Sequence, residues 1–286
     1  MSKTLAALVT GASSGIGQGT ALVLAEQGYD VAITYGKNAE GGEQTRQRIE
    51  ALGRKCFLYQ ASLQEEGVAE EIVRRAHKDL GGLTLLVNNA GRDTRNSVLT
   101  ATREDIRFIL ETNFYAYCLA AGQAARLMVR DNVAGSIIFV TSTRGQSPHP
   151  DDFLYGGIKA AINRACKSMA LDLSRYGIRV NCVAPGATRV REVKPEFENI
   201  EPGTLFNGKP YYPLERYIPS GRFGTPRDNG ELIAFLASDK GSYITGQILV
   251  VDGGLSLPGM AEGFAPTVWI DEDWIRRHRE KMDEMP

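Results

Sequence analysis

Near its amino terminus the chain passes from an apolar run, Leu5 to Thr10, through Gly11-Ala-Ser-Ser-Gly15-Ile-Gly17 into a helical pattern from Thr20 to Gln27 that Gly28 closes. Strand, glycine turn and helix in that order constrain the fold more than any other feature, because they form the opening of a βα unit. Gly11 permits a tight turn, while Gly15 and Gly17 let a ligand and a strand approach the backbone closely. A turn of this kind exposes backbone N–H groups at the positive end of a helix dipole, where a pyrophosphate can be held. The spacing Gly-x-x-x-Gly-x-Gly differs from the commoner Gly-x-Gly-x-x-Gly, and no Lys-Ser/Thr follows, which disfavours the phosphate loop of an NTPase. An ordinary βα turn is the competing reading.

The alternation continues. Strands are predicted at Asp30–Tyr35, Lys55–Tyr59, Leu83–Val87, Ser136–Thr141, Ile178–Val183 and Ile248–Val251, and helices at Ala39–Leu52, Glu65–Leu80, Arg103–Arg130 and Phe153–Tyr176. Strand alternating with helix implies an α/β fold, a parallel sheet covered on both faces. No linker interrupts it between Leu5 and about Gly254, so residues 1–254 read as one domain and 255–286 as a carboxyl-terminal extension.

Within the last of those helices, Tyr155 and Lys159 stand one turn apart, with Ser142 thirteen residues upstream. Their side chains share a helix face. An adjacent ammonium favours the phenolate, so a group with a free pKa of about 10 is expected to exchange protons near neutrality. Such pairs also occur on packed or solvated faces without consequence. The pair gains meaning from its company: Thr10 to Gly17, Asn88-Asn-Ala-Gly91, Asn113, Ser142, Tyr155-Gly-Gly-Ile-Lys159, Asn181-Cys-Val-Ala-Pro185-Gly186, Tyr243-Ile-Thr-Gly246 and Asp252-Gly-Gly254.

In that order the motifs resemble those of the classical short-chain dehydrogenase/reductase family, over residues 3 to about 254. The resemblance implies a single-domain, Rossmann-type doubly wound sheet of seven parallel strands in the order 3-2-1-4-5-6-7, and an NAD(P)-dependent oxidoreductase interconverting a secondary alcohol and a ketone. It implies Tyr155 as general acid/base, Lys159 as holder of the ribose hydroxyls and promoter of the tyrosinate, and Ser142 as the hydroxyl polarising the same substrate oxygen. Asn113, mid-helix, would disturb the ladder and support a water relay to Lys159. Implied dinucleotide contacts are Gly11, Ser13, Ser14, Ile16 and Gly17 in the first turn; Tyr35 and Lys37 after strand two; Ser62 and Leu63 after strand three; Asn89, Ala90 and Gly91; Tyr155 and Lys159; and Pro185, Gly186 and Thr188. Two positions depart from the family pattern. Ser62 replaces an Asp that faces adenine, and Val190 stands where Thr is frequent, so that contact is either lost or moved to Thr188.

Strand two ends in Tyr35-Gly36-Lys37-Asn38 without the acid that NAD-selective members carry, and Lys37 is near, so NADP is the expected cofactor and NAD the alternative. Lys37 as a solvated surface charge is the competing reading. Residues 190–220, with Phe197, Phe206, Tyr211, Tyr212 and Tyr217, resemble by position a substrate lid. Sugars, 3-oxoacyl thioesters and hydroxysteroids all suit the family and an aromatic lid. His149 and Asp151 line the pocket or simply form a turn before a helix, the turn being favoured. The tail with Trp269 and Trp274 is read as packing on a neighbouring subunit of a homo-oligomer, a dimer or tetramer.

At a net charge of −1 the chain has no basic stripe for nucleic acid and no polybasic patch for a membrane. No apolar stretch is long enough to span a bilayer, and the expected location is cytoplasmic. Cys56, Cys118, Cys166 and Cys182 read as buried free thiols, and the dispersed His77, His149 and His278 suggest no metal site. A dinucleotide-binding sensor without turnover is the rival from another class; retention of Asn113, Ser142, Tyr155 and Lys159 speaks against it. An extended-family epimerase or dehydratase would carry Gly-x-x-Gly-x-x-Gly, which is absent.

Overall fold

A computed structural model describes residues 5–94, 96–190, 205–206, 209–210, 217–257, 276 and 280. The elements run β1 (Ala6–Val9), α1 (Gly15–Glu26), β2 (Asp30–Tyr35), α2 (Ala39–Ala51), β3 (Cys56–Gln60), α3 (Val68–Leu80), β4 (Leu85–Asn88), α4 (Arg103–Leu110), a π-helical turn (Glu111–Tyr115) and α5 (Ala116–Arg130). There follow β5 (Ser136–Val140), α6 (Phe153–Ser174), β6 (Arg179–Pro185), the short antiparallel pair β7 (Leu205–Phe206) and β8 (Lys209–Pro210), α7 (Pro226–Ala237) and β9 (Ile248–Val251). Seven strands form one sheet in the order β3-β2-β1-β4-β5-β6-β9, with every pairing parallel. This is the doubly wound order expected from the sequence.

The alternation of side chains along each strand divides the core in two. Ala6 and Leu8 of β1, Leu86 of β4, Ile137 and Phe139 of β5 and Cys182 of β6 pack under α3, α5 and α6. Their neighbours Ala7, Val9, Leu85, Val87, Ile138 and Val140 pack on the opposite face under α1 and α7. Because both faces are covered, the strands are apolar throughout rather than alternating.

Several elements differ from expectation, among them α1, which starts at Gly15 rather than Thr20. Helix α3 starts at Val68, not Glu65: Gly67 has φ +77°, and Glu65 N–H donates to Ser62 O at 2.9 Å in a turn that precedes the helix. The helix expected over 103–130 is interrupted at Glu111–Tyr115 by the π-helical turn that contains Asn113. Helix α7 has no counterpart among the predicted elements, although Thr225-Pro226-x-Asp228 writes its start: Thr225 and Asp228 form a capping box and Pro226 occupies the first turn. At its other end the Arg179 guanidinium donates to the carbonyls of Leu236, Ala237, Ser238 and Gly241, placing a cation at the negative helix terminus.

The sequence-predicted lid lies mostly outside the described residues, as do Trp269 and Trp274. Of the four thiols, Cys166 and Cys182 are fully buried, whereas Cys56 and Cys118 are only partly so, a correction that reflects their places near the sheet edge and on α5. Among the described residues no helix is long and apolar enough to cross a membrane, and no three His, Cys, Asp or Glu side chains cluster as metal ligands.

Candidate active site

A cleft of about 800 Å³ opens along the carboxyl ends of the central strands. Its walls include Ser14, Gly15 and Ile16 at the start of α1, Asn89 and Gly91 after β4, Ser142 after β5, Tyr155 and Lys159 of α6, and Pro185, Gly186 and Thr188 at and after the end of β6. That position is where ligands bind in open α/β sheets.

The glycine turn is built to leave the backbone bare. Gly11 and Gly15 have φ of +66° and +55°. A Cβ on Gly11 would come within 2.7 Å of Ala90 Cα, and one on Gly17 within 2.4 Å of both Asn89 Nδ2 and Gly11 O. Asn89 welds this turn to β4: its Nδ2 donates to Thr10 O and Gly11 O at 2.9 and 3.0 Å, and its N–H donates to Thr10 Oγ1 at 2.9 Å. Helix α1 has no acidic residue in its first turn and no side-chain cap at Ser14, so its positive end meets no internal anion. The bare turn and uncompensated helix end fit a dinucleotide pyrophosphate. Replacing Gly17 with Ala is expected to cost at least about 2 kcal/mol, through a clash that neither backbone nor Asn89 can relieve cheaply; urea unfolding at equilibrium would measure it.

Lys159 lies at the floor of the cleft, 3% exposed. Its Nζ donates to Val140 O at 2.9 Å and sits 5.1 Å from the ring centre of Tyr117 and 5.5 Å from that of Tyr155. Burial pulls its pKa down to about 8. Tyr155, by contrast, is pushed up to about 12, first by burial and then by the Asp93 carboxylate, with a hydrogen bond to Ser142 opposing. The expectation of a phenol titrating near neutrality is therefore corrected. One-turn spacing places the ammonium over the Tyr155 ring, and the low polarity that weakens Lys159's charge also penalises a phenolate.

Asn113 is wholly buried, and both ends of its amide are committed: Oδ1 accepts from Arg92 N–H at 2.9 Å and Nδ2 donates to Arg92 O at 2.7 Å. The side chain thus clamps the loop after β4. Other sequence-predicted residues shape the cleft without lining it. Gly11, Gly17 and Ala90 form the tight junction just described, and Ser13 O accepts from Asn38 Nδ2 at 3.2 Å. Tyr35 ends β2, with its ring against Gly42. Lys37 is solvent-exposed and next in sequence to the cleft residue Asn38, Ser62 begins the turn after β3, and Leu63 packs on the core under α3. His149 and Asp151 sit in the turn before α6, Asp151 with φ +56°, and line a separate depression.

Several cleft residues were not anticipated. Asn38 lines it while capping α2, its Oδ1 accepting from Gly41 N–H at 3.0 Å, and an Asn before a helical run was the available signal. Arg92, Asp93 and Arg144 also line it; nothing in their spacing announced that the loops after β4 and β5 would bring them together. Tyr117, stacked on Phe139 beneath Lys159, is an equally unannounced neighbour.

A doubly wound parallel sheet, with a bare glycine turn and a Tyr-x-x-x-Lys pair facing one cleft, defines a scaffold for oxidoreductases of the Rossmann type. The family described as enoyl-(acyl carrier protein) reductase matches residues 11–256. General stress protein 39 of Bacillus subtilis is 36% identical over 249 residues, 87% of this chain and 83% of that protein. The 3-oxoacyl-(acyl-carrier-protein) reductase FabG of Staphylococcus aureus is 34% identical over 255 residues, 89% of this chain and 99% of that one. The crystal structure of acetoin dehydrogenase YohF from Salmonella typhimurium superposes with a TM-score of 0.80 at 33% identity, covering 91% of this chain and 99% of that one. The chain belongs to the classical short-chain dehydrogenase/reductase family. It is an oxidoreductase of the kind that acts on a CH–OH group or the corresponding ketone, in a family whose members use NAD(P).

Proposed function

We propose that the protein reduces a ketone to a secondary alcohol, and runs the reverse reaction, using NADPH in preference to NADH. The observation that carries the reading is the meeting of Ser142, Tyr155 and Lys159 in one cleft with the bare amino-terminal end of α1. Ser14, Ile16, Asn89, Gly91, Pro185, Gly186 and Thr188 would hold the dinucleotide along that cleft. When bound, the nicotinamide supplies or accepts the hydride.

The chain's own residues manage the oxygen. Tyr155, held protonated by burial, donates its phenolic proton to the developing alkoxide as the carbonyl carbon is reduced. Ser142 hydrogen-bonds the same oxygen and polarises it. Lys159, fixed on Val140 O, presents its remaining N–H donors and its charge to the ribose side of the cleft and stabilises the phenolate formed as the proton leaves. Asn113 acts through the loop it clamps, keeping Gly91 and Arg92 in place. A phenol that carries its proton at neutral pH suits the reductive direction.

The cofactor preference rests on the lack of any acid in Tyr35-Gly36-Lys37-Asn38 and on the exposed Lys37, next in sequence to the cleft residue Asn38. NADPH is expected to bind more tightly than NADH by fluorescence titration, and Lys37→Ala to weaken NADPH by about tenfold with little change for NADH. Equal loss for both dinucleotides would remove Lys37 from phosphate recognition. Sugars, 3-oxoacyl thioesters and hydroxysteroids stay in the substrate panel, joined by hydroxyketones such as acetoin, on which a structural relative acts. A cytoplasmic location, a homo-oligomeric state, a substrate lid over 190–220 and an extension after residue 254 belong to the same reading, supported by its resemblance to the family. Following NADPH and NADH oxidation across the panel tests the whole: dinucleotide binding without turnover of any ketone would favour a sensor.

A further inference from the structure

Charged side chains from two loops meet beside Tyr155. Arg144 comes from the short turn after β5, Asp93 from the loop after β4, and Asp152 immediately precedes α6, three residues before Tyr155. Arg144 Nη1 donates to Asp152 Oδ1 at 3.0 Å and lies 3.9 Å from Asp93 Oδ2. The Asp152 side chain is only 2% exposed, that of Arg144 is 22% exposed and that of Asp93 46%. Asp152 is also tucked against the helix: a Cβ on Gly156 would come within 2.9 Å of its Oδ2 and 2.8 Å of Arg144 O. A buried carboxylate thus fixes the guanidinium, while Arg144 and Asp93 face the same cleft as Ser142 and Tyr155.

This arrangement discriminates among the substrates left open above, and rests on that reading of the cleft. An acyl chain or a steroid face laid against it would cover a guanidinium and a carboxylate without returning hydrogen bonds. A substrate carboxylate would meet Arg144 but be repelled by Asp93. A hydroxyl donates to one and accepts from the other. We propose that Arg144 and Asp93 are specificity-determining residues that read a hydroxyl adjacent to the reacting carbon, so that the substrates are neutral hydroxyketones or polyols. Asp152 is the positioning residue that holds Arg144.

The test compares 2-butanone, 3-hydroxy-2-butanone and 3-oxobutanoate, matched in carbon number, by kcat/KM of the full chain with NADPH and with NADH. The hydroxyketone is expected to be preferred over 2-butanone by at least about tenfold, since a site built to bond a hydroxyl rejects the analogue that lacks it. Arg144→Met should reduce that ratio at least severalfold, chiefly through KM for the hydroxyketone. Arg144→Met combined with Asp152→Asn should do the same without stranding a buried carboxylate, which keeps the test open if the single variant does not fold. Asp93→Asn should raise 3-oxobutanoate relative to 2-butanone. Ratios unmoved by these changes, or a wild-type enzyme that turns over 2-butanone as well as the hydroxyketone, would overturn the assignment of Arg144 and Asp93 and leave the ketone reductase intact. Failure to reduce any of the three while another ketone of the panel is reduced would overturn the assignment alone, and failure across the whole panel with dinucleotide bound would overturn both.

Discussion

Tyr155→Phe is expected to lower kcat by a factor of about 10²–10⁴ while leaving dinucleotide affinity within about twofold. The substitution removes one hydroxyl and keeps the ring that packs beside Lys159, so the cleft retains its shape. Ser142 would then face the developing alkoxide without a proton donor beside it. Because the Tyr155 phenol is held up to about 12, it is protonated throughout the neutral range, and the reductive rate should show no alkaline fall that belongs to Tyr155 between pH 6 and 8. Steady-state rates across pH, together with fluorescence titration of NADPH, separate loss of chemistry from loss of binding. Turnover unchanged by the substitution would remove Tyr155 as the acid.

Lys159→Met should have the opposite effects on function and stability. Activity is expected to be lost with the charge that supports the phenolate. Stability should rise. The ammonium is buried, and its pKa is pulled from 10.5 to about 8, a penalty of about 3 kcal/mol at 1.36 kcal/mol per unit. The lost bond to Val140 O returns about 1 kcal/mol of that, leaving a net gain of about 2 kcal/mol near neutrality. The dependence on pH follows from linkage. The folded state binds this proton less tightly than the unfolded state, so the wild-type penalty is complete below pH 8 and fades as pH rises toward 10.5. The advantage of the variant over wild type should therefore shrink between pH 8 and 10. Urea unfolding of both proteins at pH 7 and pH 9.5 measures it; a difference that grew with pH would contradict the buried, proton-poor setting of Lys159. A destabilising group kept at the reaction centre is the usual signature of function set against stability.

The sheet was readable from the chain because each strand is a short apolar run bounded by glycines or turn residues and separated from the next by a helical pattern. Leu8 and Val9 can only go to opposite faces, and the core divides as that alternation demands. The gathering of Ser142, Tyr155, Lys159 and Asn89 about one cleft was readable because one helical turn separates Tyr155 from Lys159 and strand ends carry Ser142 and Asn89. Acidity was not readable. Spacing reports that two groups are near, whereas the pKa of Tyr155 depends first on how much water the finished fold removes and then on Asp93, which lies on a loop 62 positions earlier. The Asp93, Arg144 and Asp152 assembly escaped for the same reason, since the loops after β4 and β5 must both fold before it exists. The π-helical turn at Asn113 shows an intermediate case: an Asn inside an apolar helix signalled a disturbed ladder, but not that its amide would be spent on Arg92.

The central claim is that a ketone carbon and the Tyr155 phenol meet a nicotinamide in the cleft beside Ser142. Its most direct test is reduction of a ketone by the full chain with NADPH stereospecifically deuterated at C4, with mass spectrometry of the alcohol. The account predicts a single deuterium on the carbinol carbon from one of the two C4 epimers and none from the other. Alcohol that carries no deuterium from either epimer, or no alcohol from any ketone of the panel under conditions where NADPH is bound, would contradict it.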